Sequence, residues 1–206
     1  MLILHGMARS NYYCMAKACL LEKGLDFEEA QAVPSQEESY LELSPMGKVP
    51  CLQTEQGYLS ETYAIADYLE LVRPEPRLLP ADPFARAKTI ELVRHLELDV
   101  ELVARRCLPA AFFGQTASEE TKTTTRRDLK RGMRALRRLV RCDPWIAGND
   151  FTLADIYAFY TFGLASAIVK AVLDDDLLGD APELHALMAL AAQRDSIAEI
   201  EAAKQA

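Results

Sequence analysis

The stretch Ser44-Pro45-Met46-Gly47-Lys48-Val49-Pro50-Cys51-Leu52, followed by Glu61-Thr62-Tyr63-Ala64-Ile65, decides the fold of this chain. The first run is strand-like, but proline has no N–H and cannot donate to a sheet ladder. We therefore expect Val49 and Pro50 at an edge or bend with main-chain groups left over. The second run begins a helix directly after a strand, and a helix N-terminus favours an anion. Together the runs predict a place where a small peptide can bind.

Length, composition and charge limit the class of protein. The chain has 206 residues, 50% of them apolar, which is enough to bury a core in one large or two small domains. Its formal charge of -8 argues against nucleic-acid binding, because that affinity comes mainly from neutralising phosphates. The longest apolar run, Ile156 to Val169, is too short to span a bilayer and indicates a buried helix. We expect a globular protein with neither a nucleic-acid nor a membrane partner.

Cysteine usage and the N-terminus predict a cytoplasmic protein. The five cysteines form no Cys-x-x-Cys pair and have no histidines at metal-ligand spacing, so we expect neither disulfides nor a metal site. Residues Met1 to Gly6 lack the basic start and the long apolar stretch of a signal peptide. Both observations fit a reducing compartment.

Apolar periodicity divides the chain into two predicted domains. Residues 1–76 follow the order strand, helix, strand, helix, strand, strand, helix. Prolines at positions 74, 76, 80 and 83 then interrupt regular structure, and we place a linker at residues 77–84. Residues 85–206 show only helical spacing, which predicts an all-α bundle. Its predicted helical segments are 87–108, 129–140, 153–173 and 184–197.

Two features of the second domain favour a structural interpretation. Thr152-Leu153-Ala154-Asp155 is an aspartate variant of the helix capping box, in which each side chain satisfies the other residue's main-chain N–H. The segment from Arg126 to Arg141 holds eight basic residues and one acid, with apolar residues on one stripe. That segment could bind an acidic partner or a membrane surface. In an acidic protein, a helix packed by its apolar stripe with solvated charges is favoured.

Five stretches of the chain, taken together, resemble the cytosolic glutathione transferase family. The resemblance implies an α/β thioredoxin-like N-terminal domain and an all-α helical-bundle C-terminal domain. It also implies an enzyme of detoxification that forms a homodimer. The stretches are Gly6-Met7-Ala8-Arg9-Ser10, Glu22-Lys23-Gly24-Leu25, Ser44 to Pro50, Glu61 to Ile65 with Tyr68-Leu69, and Trp145-Ile146-Ala147-Gly148 with Thr152 to Asp155.

The resemblance implies where glutathione binds. Pro50 would be cis, and Val49 would exchange main-chain hydrogen bonds with the cysteinyl unit. Glu61 and Thr62 would hold the γ-glutamyl carboxylate, and threonine replaces the serine of most relatives while keeping a hydroxyl donor. Lys48 would reach the glycine carboxylate or stay in solvent. The implied glutathione-binding residues are Ser35, Lys48, Val49, Pro50, Glu61 and Thr62.

Ser10 is the predicted catalytic residue. A free thiol has a pKa near ~8.5, so an enzyme must stabilise the glutathione thiolate. The Ser10 hydroxyl could donate to that sulfur, cap the first helix, or do both. The stretch that ends at Ser10 resembles the serine-using plant and bacterial classes, although Asn11 stands where many relatives have proline. Tyr12 or Tyr13 is the alternative, while Cys14 falls too late in the chain and is expected in the core.

The second substrate is expected in a cleft between the domains, where relatives bind their electrophile. Arg105 and Arg106 could favour an anionic substrate or could face water. Apolar residues on helices commonly belong to the hydrophobic core, and this is the competing interpretation of the residues predicted to line the pocket. The predicted electrophile pocket consists of Met7, Tyr12, Leu108, Phe112 and Phe113.

The leading hypothesis is a glutathione transferase that adds the glutathione sulfur to a small apolar electrophile. Glutathione would be a co-substrate, with no metal and no other cofactor. The same site could serve a glutathione-dependent isomerase, dehalogenase or peroxidase. A non-enzymatic scaffold protein with the transferase fold is the alternative from a different class.

Overall fold

The computed structural model describes residues 1–179 and 181–204. They divide into two compact units, which we call unit 1 and unit 2. Unit 1 comprises Met1–Leu78 and the segment from Gln193 onward, and unit 2 comprises Leu79–Ala192. The division after Leu78 falls inside the linker placed at residues 77–84.

Unit 1 is built on a four-stranded mixed sheet. The spatial order is β2-β1-β3-β4, in which β1 and β2 are parallel and the other two pairs are antiparallel. Leu4 and Leu52 face each other in register and are fully buried, so they anchor the middle of the sheet. The predicted thioredoxin-like order is confirmed. Its elements are β1 Leu2–Gly6, α1 Asn11–Glu22, β2 Phe27–Gln31, α2 Glu38–Leu41, β3 Cys51–Thr54, β4 Gly57–Ser60 and α3 Thr62–Val72.

A buried ion pair joins the C-terminal ends of α1 and α3. Lys23, which is 1% exposed, pairs with Glu70, which is 5% exposed. The Lys23 ammonium also donates to the Pro76 carbonyl at 2.7 Å, and Glu70 accepts from the Leu78 N–H at 3.1 Å. Each charge therefore has further hydrogen bonds, which a buried ion pair needs to offset the loss of hydration.

Unit 2 is helical throughout its regular structure, as predicted. One helical segment continues from Pro83 to Phe112 through a π-helical turn, Leu96–Glu101, and a 3-10 turn, Arg105–Cys107. The helix that carries most of the basic segment begins ten residues before the predicted start, because Ser118 caps it and its first turns are too polar to show apolar spacing. It ends at Leu136, before the predicted end at residue 140, so residues 137–141 of the basic segment follow the helix. The helices are α4 Pro83–His95, α5 Leu102–Ala104, α6 Leu108–Phe112, α7 Glu119–Leu136, α8 Leu153–Ile168 and α9 Pro182–Ala191.

The prediction of one helix over residues 184–197 is wrong. The chain forms two helices there, α9 and α10 (Asp195–Ala203), and the second belongs to unit 1. The Arg194 guanidinium donates to Glu22 of α1 at 3.2 Å, and Ile197 and Ile200 are buried. Apolar spacing continues across the break, so the pattern could not show that the chain leaves one core for another.

The longest apolar helix is part of the core of unit 2. α8 and the π-helical turn Val169–Leu173 form 21 continuous helical residues, which is long and apolar enough to cross a membrane by length and composition. Its side chains Ile156, Tyr157 and Phe162 are buried, and it packs against α4, α9 and the Leu96–Glu101 turn. The predicted buried helix is thus longer than the apolar run that indicated it.

The predicted capping box starts α8. The Thr152 N–H and hydroxyl donate to Asp155 Oδ2 at 2.8 and 3.0 Å, and the Ile146 N–H donates to Asp155 Oδ1 at 2.7 Å. Asp155 is fully buried. Burial raises the pKa of Asp155 from 3.8 to about 6, even though its three hydrogen bonds favour the carboxylate.

This balance gives a pH-dependent stability. The native state holds the Asp155 proton more tightly than the unfolded chain does. Asp155 therefore contributes most to the free energy of unfolding below pH 3.8, and this contribution is lost as the pH rises through about 6. We expect the free energy of unfolding of the wild type, relative to Asp155→Asn, to fall by up to about 3 kcal/mol between those values. Urea denaturation of both proteins at several pH values measures it. The surface variant Asp150→Asn is the control, and a difference that rises with pH would show that hydrogen bonding outweighs burial.

Candidate functional site

The N-terminal turns of α1 and α3 adjoin. The Thr62 hydroxyl, at the first residue of α3, donates to the main-chain carbonyl of Tyr12 in the first turn of α1 at 3.4 Å. Two helix N-termini therefore lie side by side, and each supplies main-chain N–H donors and a positive dipole end. This is an arrangement that can bind an anion.

Ser10 is the N-cap of α1. Its backbone is extended, with φ -86° and ψ 119°, and its Oγ accepts a hydrogen bond from the Tyr13 N–H at 3.4 Å. The Ser10 N–H donates to the Met7 carbonyl at 2.9 Å, which fixes the loop before the helix. Because a hydroxyl accepts and donates at once, the capping bond leaves the Ser10 hydrogen able to point at a ligand. The capping and catalytic roles are compatible in this geometry.

The alternatives to Ser10 are disfavoured by their surroundings. The Tyr13 phenol is buried and donates to the Glu29 carboxylate, and burial raises its pKa well above the ordinary value of 10. The hydroxyl oxygen of Tyr12 is also buried. Cys14 is fully buried, its thiol donates to the Ala8 carbonyl at 3.2 Å, and burial raises its pKa. A thiolate nucleophile needs a lowered pKa, so Cys14 is suited to packing.

The peptide bond between Val49 and Pro50 is cis, as the resemblance implies. Pro50 is buried and Val49 is half-buried in the bend that leads into β3. Within residues 1–179 and 181–204, the main-chain groups of Val49 have no hydrogen-bond partner. Main-chain donors and acceptors that are not fully exposed normally have partners, so this bend can accept an extended peptide.

Glu61 and Thr62 differ in what they offer to a ligand. Glu61 is exposed and has φ 71° and ψ 116°, a left-handed conformation that a non-glycine residue adopts only when its surroundings impose it. Thr62 is 5% exposed, and its hydroxyl donates to Tyr12 rather than to solvent. The hydroxyl donor that the sequence assigned to a ligand is thus used within the protein. The main-chain N–H groups at the start of α3 are the donors that remain.

Ser35 and Lys48 are held by one loop contact. The Ser35 N–H donates to the Gly47 carbonyl at 3.0 Å, and Gly47 has φ +63°. A Cβ on Gly47 would lie 2.1 Å from the Ser35 carbonyl oxygen, so only glycine fits. The Lys48 side chain is exposed, while its N–H donates to the Ser44 hydroxyl at 3.2 Å and its carbonyl accepts from the Tyr40 hydroxyl at 3.2 Å.

Tyr40, Ser44 and Gly47 support the loop, although none of the three was among the predicted glutathione-binding residues. Their partners lie four to twelve residues away along irregular chain, where no periodicity applies. Next to this loop, Ser35 and Tyr40 line a shallow cavity of about 380 Å³. The Gly47-Lys48 turn was the one available signal, because glycine in an irregular run often marks a positive φ.

The predicted electrophile-pocket residues of unit 2 are on its surface. Phe112 and Phe113 are 52% and 69% exposed, and Leu108 is half-buried at the start of α6. The competing interpretation of the two phenylalanines as core residues is therefore wrong. Met7 and Tyr12, which belong to unit 1, are half-buried.

Arg105 and Arg106 have defined partners. The Arg105 guanidinium donates to the buried Glu101 carboxylate at 2.8 and 3.0 Å, and Glu101 also accepts from the Thr161 hydroxyl at 2.8 Å. Arg106 pairs with Asp128 at 2.7 Å. All five cysteines are free thiols, and the described residues contain no group of three His, Cys, Asp or Glu side chains placed to hold a metal ion.

Comparisons with known proteins agree with this geometry. A curated glutathione S-transferase of Pseudomonas putida strain F1 is 46% identical over 206 residues, which is 100% of this chain and 94% of that protein. A glutathione S-transferase from Methylobacterium radiotolerans, solved in complex with glutathione sulfonate, is 26% identical with a TM-score of 0.79, covering 96% of this chain and 93% of that one. A bacterial maleyl pyruvate isomerase of the zeta class is 25% identical with a TM-score of 0.78, covering 96% and 95%.

Two family models match the chain. Residues 4–77 match the glutathione S-transferase N-terminal domain, and residues 100–190 match the glutathione S-transferase C-terminal domain. The matched ranges fall in unit 1 and unit 2 respectively. With the full-length similarity to a named transferase, these matches show that the chain is an enzyme that belongs to the glutathione S-transferase family.

Proposed function

We propose that this protein conjugates the thiolate of glutathione to a small apolar electrophile. The observation that carries the proposal is the junction of the N-terminal turns of α1 and α3 through Thr62 and Tyr12, with the Ser10 hydroxyl at the start of α1. A site with two helix N-termini suits a ligand that carries both a carboxylate and a thiolate. Glutathione is such a ligand.

In the proposed binding mode, each part of the tripeptide has a partner in unit 1. The γ-glutamyl carboxylate binds the N–H groups after Glu61, and the cysteinyl main chain pairs with Val49. The exposed ammonium of Lys48 meets the glycine carboxylate, with Ser35 beside it. The Ser10 hydroxyl donates to the sulfur, and the α1 dipole adds to the stabilisation of the thiolate.

The chemical step is nucleophilic attack by the sulfur. Glutathione loses its thiol proton to solvent when it binds, and the thiolate forms a carbon–sulfur bond to the electrophile. A displaced group leaves with the electron pair of the broken bond, or, in an addition, the product carbanion takes a proton from solvent. Ser10 acts as a hydrogen-bond donor and not as a base, because the serine hydroxyl keeps its proton throughout. The enzyme contributes orientation and a lowered thiol pKa.

The exposed aromatic side chains of α6 and the following residue favour an apolar electrophile. Phe112 and Phe113 expose large apolar surfaces to solvent. Exposed apolar surface of this kind commonly marks a binding site. Leu108, at the start of α6, is a further proposed contact. The same glutathione site would serve isomerisation, and the similarity to a maleyl pyruvate isomerase makes that the second candidate.

We also propose a cytoplasmic homodimer with a role in detoxification. Large apolar side chains are exposed on α3 (Leu71 and Val72) and on the helical segment of unit 2 (Phe84, Leu98 and Leu102). Surfaces of this kind commonly form interfaces between protein chains.

Ser10→Ala should lower the rate of conjugation. Removal of one donor to a charge in an active site typically costs about a hundredfold in rate. We expect a fall of this order in kcat/KM, measured with 1-chloro-2,4-dinitrobenzene, and a rise of the apparent thiol pKa toward ~8.5 in the pH profile. Ser10→Thr keeps the hydroxyl and should retain most of the activity.

Tyr12→Phe is the matched control for Ser10→Ala and should leave the pH profile unchanged. If Ser10→Ala instead keeps the wild-type profile while Tyr12→Phe shifts it, the catalytic assignment moves to Tyr12. If both variants and the wild type bind glutathione in a calorimeter but conjugate no member of a broad electrophile panel, the isomerase or scaffold alternative replaces the transferase.

Gly47→Ala should weaken glutathione binding. The added methyl group would collide with the Ser35 carbonyl and displace the loop that carries Lys48. Gly24→Ala is the control, because Gly24 also has a positive φ, +57°, but nothing lies within 4 Å of its Cβ position. Both variants lose about 1 kcal/mol to the left-handed backbone, and only Gly47→Ala should raise the dissociation constant for glutathione in calorimetry. Equal dissociation constants for the two variants would show that glutathione binding does not depend on the Ser35–Gly47 contact.

Sedimentation equilibrium tests the homodimer. We expect a mass twice the 23.0 kDa of one chain at micromolar concentration. Leu98→Glu should shift the equilibrium toward monomer, because it places a charge on the exposed apolar surface, whereas the exposed Thr123→Glu should not. A wild type that sediments as a monomer would refute the dimer.

A further inference from the structure

Unit 2 contains a cavity that the glutathione chemistry does not use. It has a volume of about 380 Å³ and lies between α7 and the π-helical turn Val169–Leu173, with the loop that follows that turn. Its floor is apolar: Leu129 and Met133 from α7 face Val169 and Leu173, and all four are at most 6% exposed. The volume is within the range of small-molecule sites.

Four cations surround this floor, three from α7 and one, Arg137, from the residue that caps its C-terminus. Arg126, Lys130, Arg134 and Arg137 recur every three or four residues, which places them on one face of the helix. Like charges at this spacing repel one another, so the face carries a cost that an anion would remove. Their aliphatic stems extend the apolar surface of the cavity.

Two of the four cations, both of them guanidinium groups, are positioned by the opposite wall. Arg126 donates to the Leu173 carbonyl at 3.0 Å, and Arg137 donates to the Leu178 carbonyl at 3.4 Å. The side chains of Lys130 and Arg134 are exposed, and neither side chain has a hydrogen bond or ion pair with any described residue. The cavity thus combines two fixed cations with two that remain available to a ligand.

The two carboxylates at the cavity do not neutralise it. Asp176 accepts from the Leu178 and Gly179 N–H groups at 3.1 Å and is turned into its own loop. Asp175 accepts from the Asp176 N–H at 2.9 Å and lies 3.9 Å from the Arg126 guanidinium. Neither carboxylate pairs with Lys130 or Arg134.

A second cavity of unit 2 gives the contrast. It has a volume of about 570 Å³ and is also lined by charged residues of α7. There the carboxylates are bonded to cations of the lining: Asp128 accepts from Arg106 at 2.7 Å and from Arg127 at 3.0 Å, and Asp99 lies 2.6 Å from a ring nitrogen of His95. Among the arginines of this lining, Arg131 alone has no side-chain partner in the described residues. Two neighbouring unpaired cations, Lys130 and Arg134, beside a buried apolar floor therefore distinguish the first cavity, in a chain whose net charge is -8.

We propose that the first cavity binds a small amphipathic anion, namely a carboxylate or sulfonate with a medium-length apolar body. The anionic head pairs with Lys130 and Arg134, and the body lies over Leu129, Met133, Val169 and Leu173. A concave site with an apolar floor fits a small molecule better than a flat anionic surface, from which a chain of charge -8 is repelled as a whole. This site lies outside the residues proposed for glutathione and serves a separate function.

The test is titration calorimetry of the full-length protein with sodium decanoate at saturating glutathione. We expect decanoate to bind at one site, decan-1-ol to bind at least about tenfold more weakly, and salt to weaken decanoate binding. Lys130→Glu with Arg134→Glu should weaken decanoate binding at least about tenfold. Arg131→Glu with Arg138→Glu is the matched control: it changes the net charge by the same amount at two exposed positions of the same basic segment that do not line the first cavity, and decanoate binding should stay within about twofold of wild type.

Three results would overturn the proposal: no decanoate binding to the wild type, equal losses in the two double variants, or equal binding of decanoate and decan-1-ol. Sedimentation with phosphatidylglycerol vesicles tests whether the cavity residues bind a membrane surface. Vesicle binding that depends on Lys130 and Arg134 would show a membrane surface in place of the small anion. Conjugation activity should be unchanged in both double variants, and circular dichroism checks that each one folds.

Discussion

The parallel packing of α1 and α3 is the constraint on which the site depends. At one end the Thr62 hydroxyl meets the Tyr12 carbonyl, and at the other the buried Lys23 pairs with Glu70. Because the helix starts are joined to each other and the helix ends are joined to each other, the two dipoles point the same way and their positive ends fall together. A shift of one helix along the other would separate the Ser10 hydroxyl from the donors after Glu61.

Main-chain groups carry most of the proposed recognition. Val49 offers an N–H and a carbonyl in a bend, and the start of α3 offers N–H groups that no helix can satisfy internally. Side chains mainly hold these groups in place, as the Thr62 hydroxyl and the Ser44 hydroxyl do. This division explains why threonine can stand at position 62: its hydroxyl faces α1, and the ligand is left to the main chain.

Unit 2 shows how an acidic protein can keep a local positive site. Several of its basic side chains are paired with acids within hydrogen-bonding distance, as Arg105 is with Glu101 and Arg106 with Asp128. Along α7 the pairing is incomplete, since Lys130, Arg131 and Arg134 have no acid partner among the described residues. Asp128 pairs with Arg106 and Arg127 on one side of the helix, whereas Lys130 and Arg134 are unpaired beside an apolar cavity.

The sequence by itself determined the order of elements in unit 1, the helical nature of unit 2 and the Thr152–Asp155 capping box, because strand and helix periodicity and capping depend on residues that are close along the chain. Motif resemblance supplied the cis bond before Pro50, which no local rule for proline would give. Only the tertiary structure decided that Tyr13 is buried, that α10 leaves the helical unit to pack on α1, and that Gly47 must fit against Ser35. Those outcomes depend on contacts between residues far apart in sequence, where packing and desolvation, and not local propensity, fix the energy.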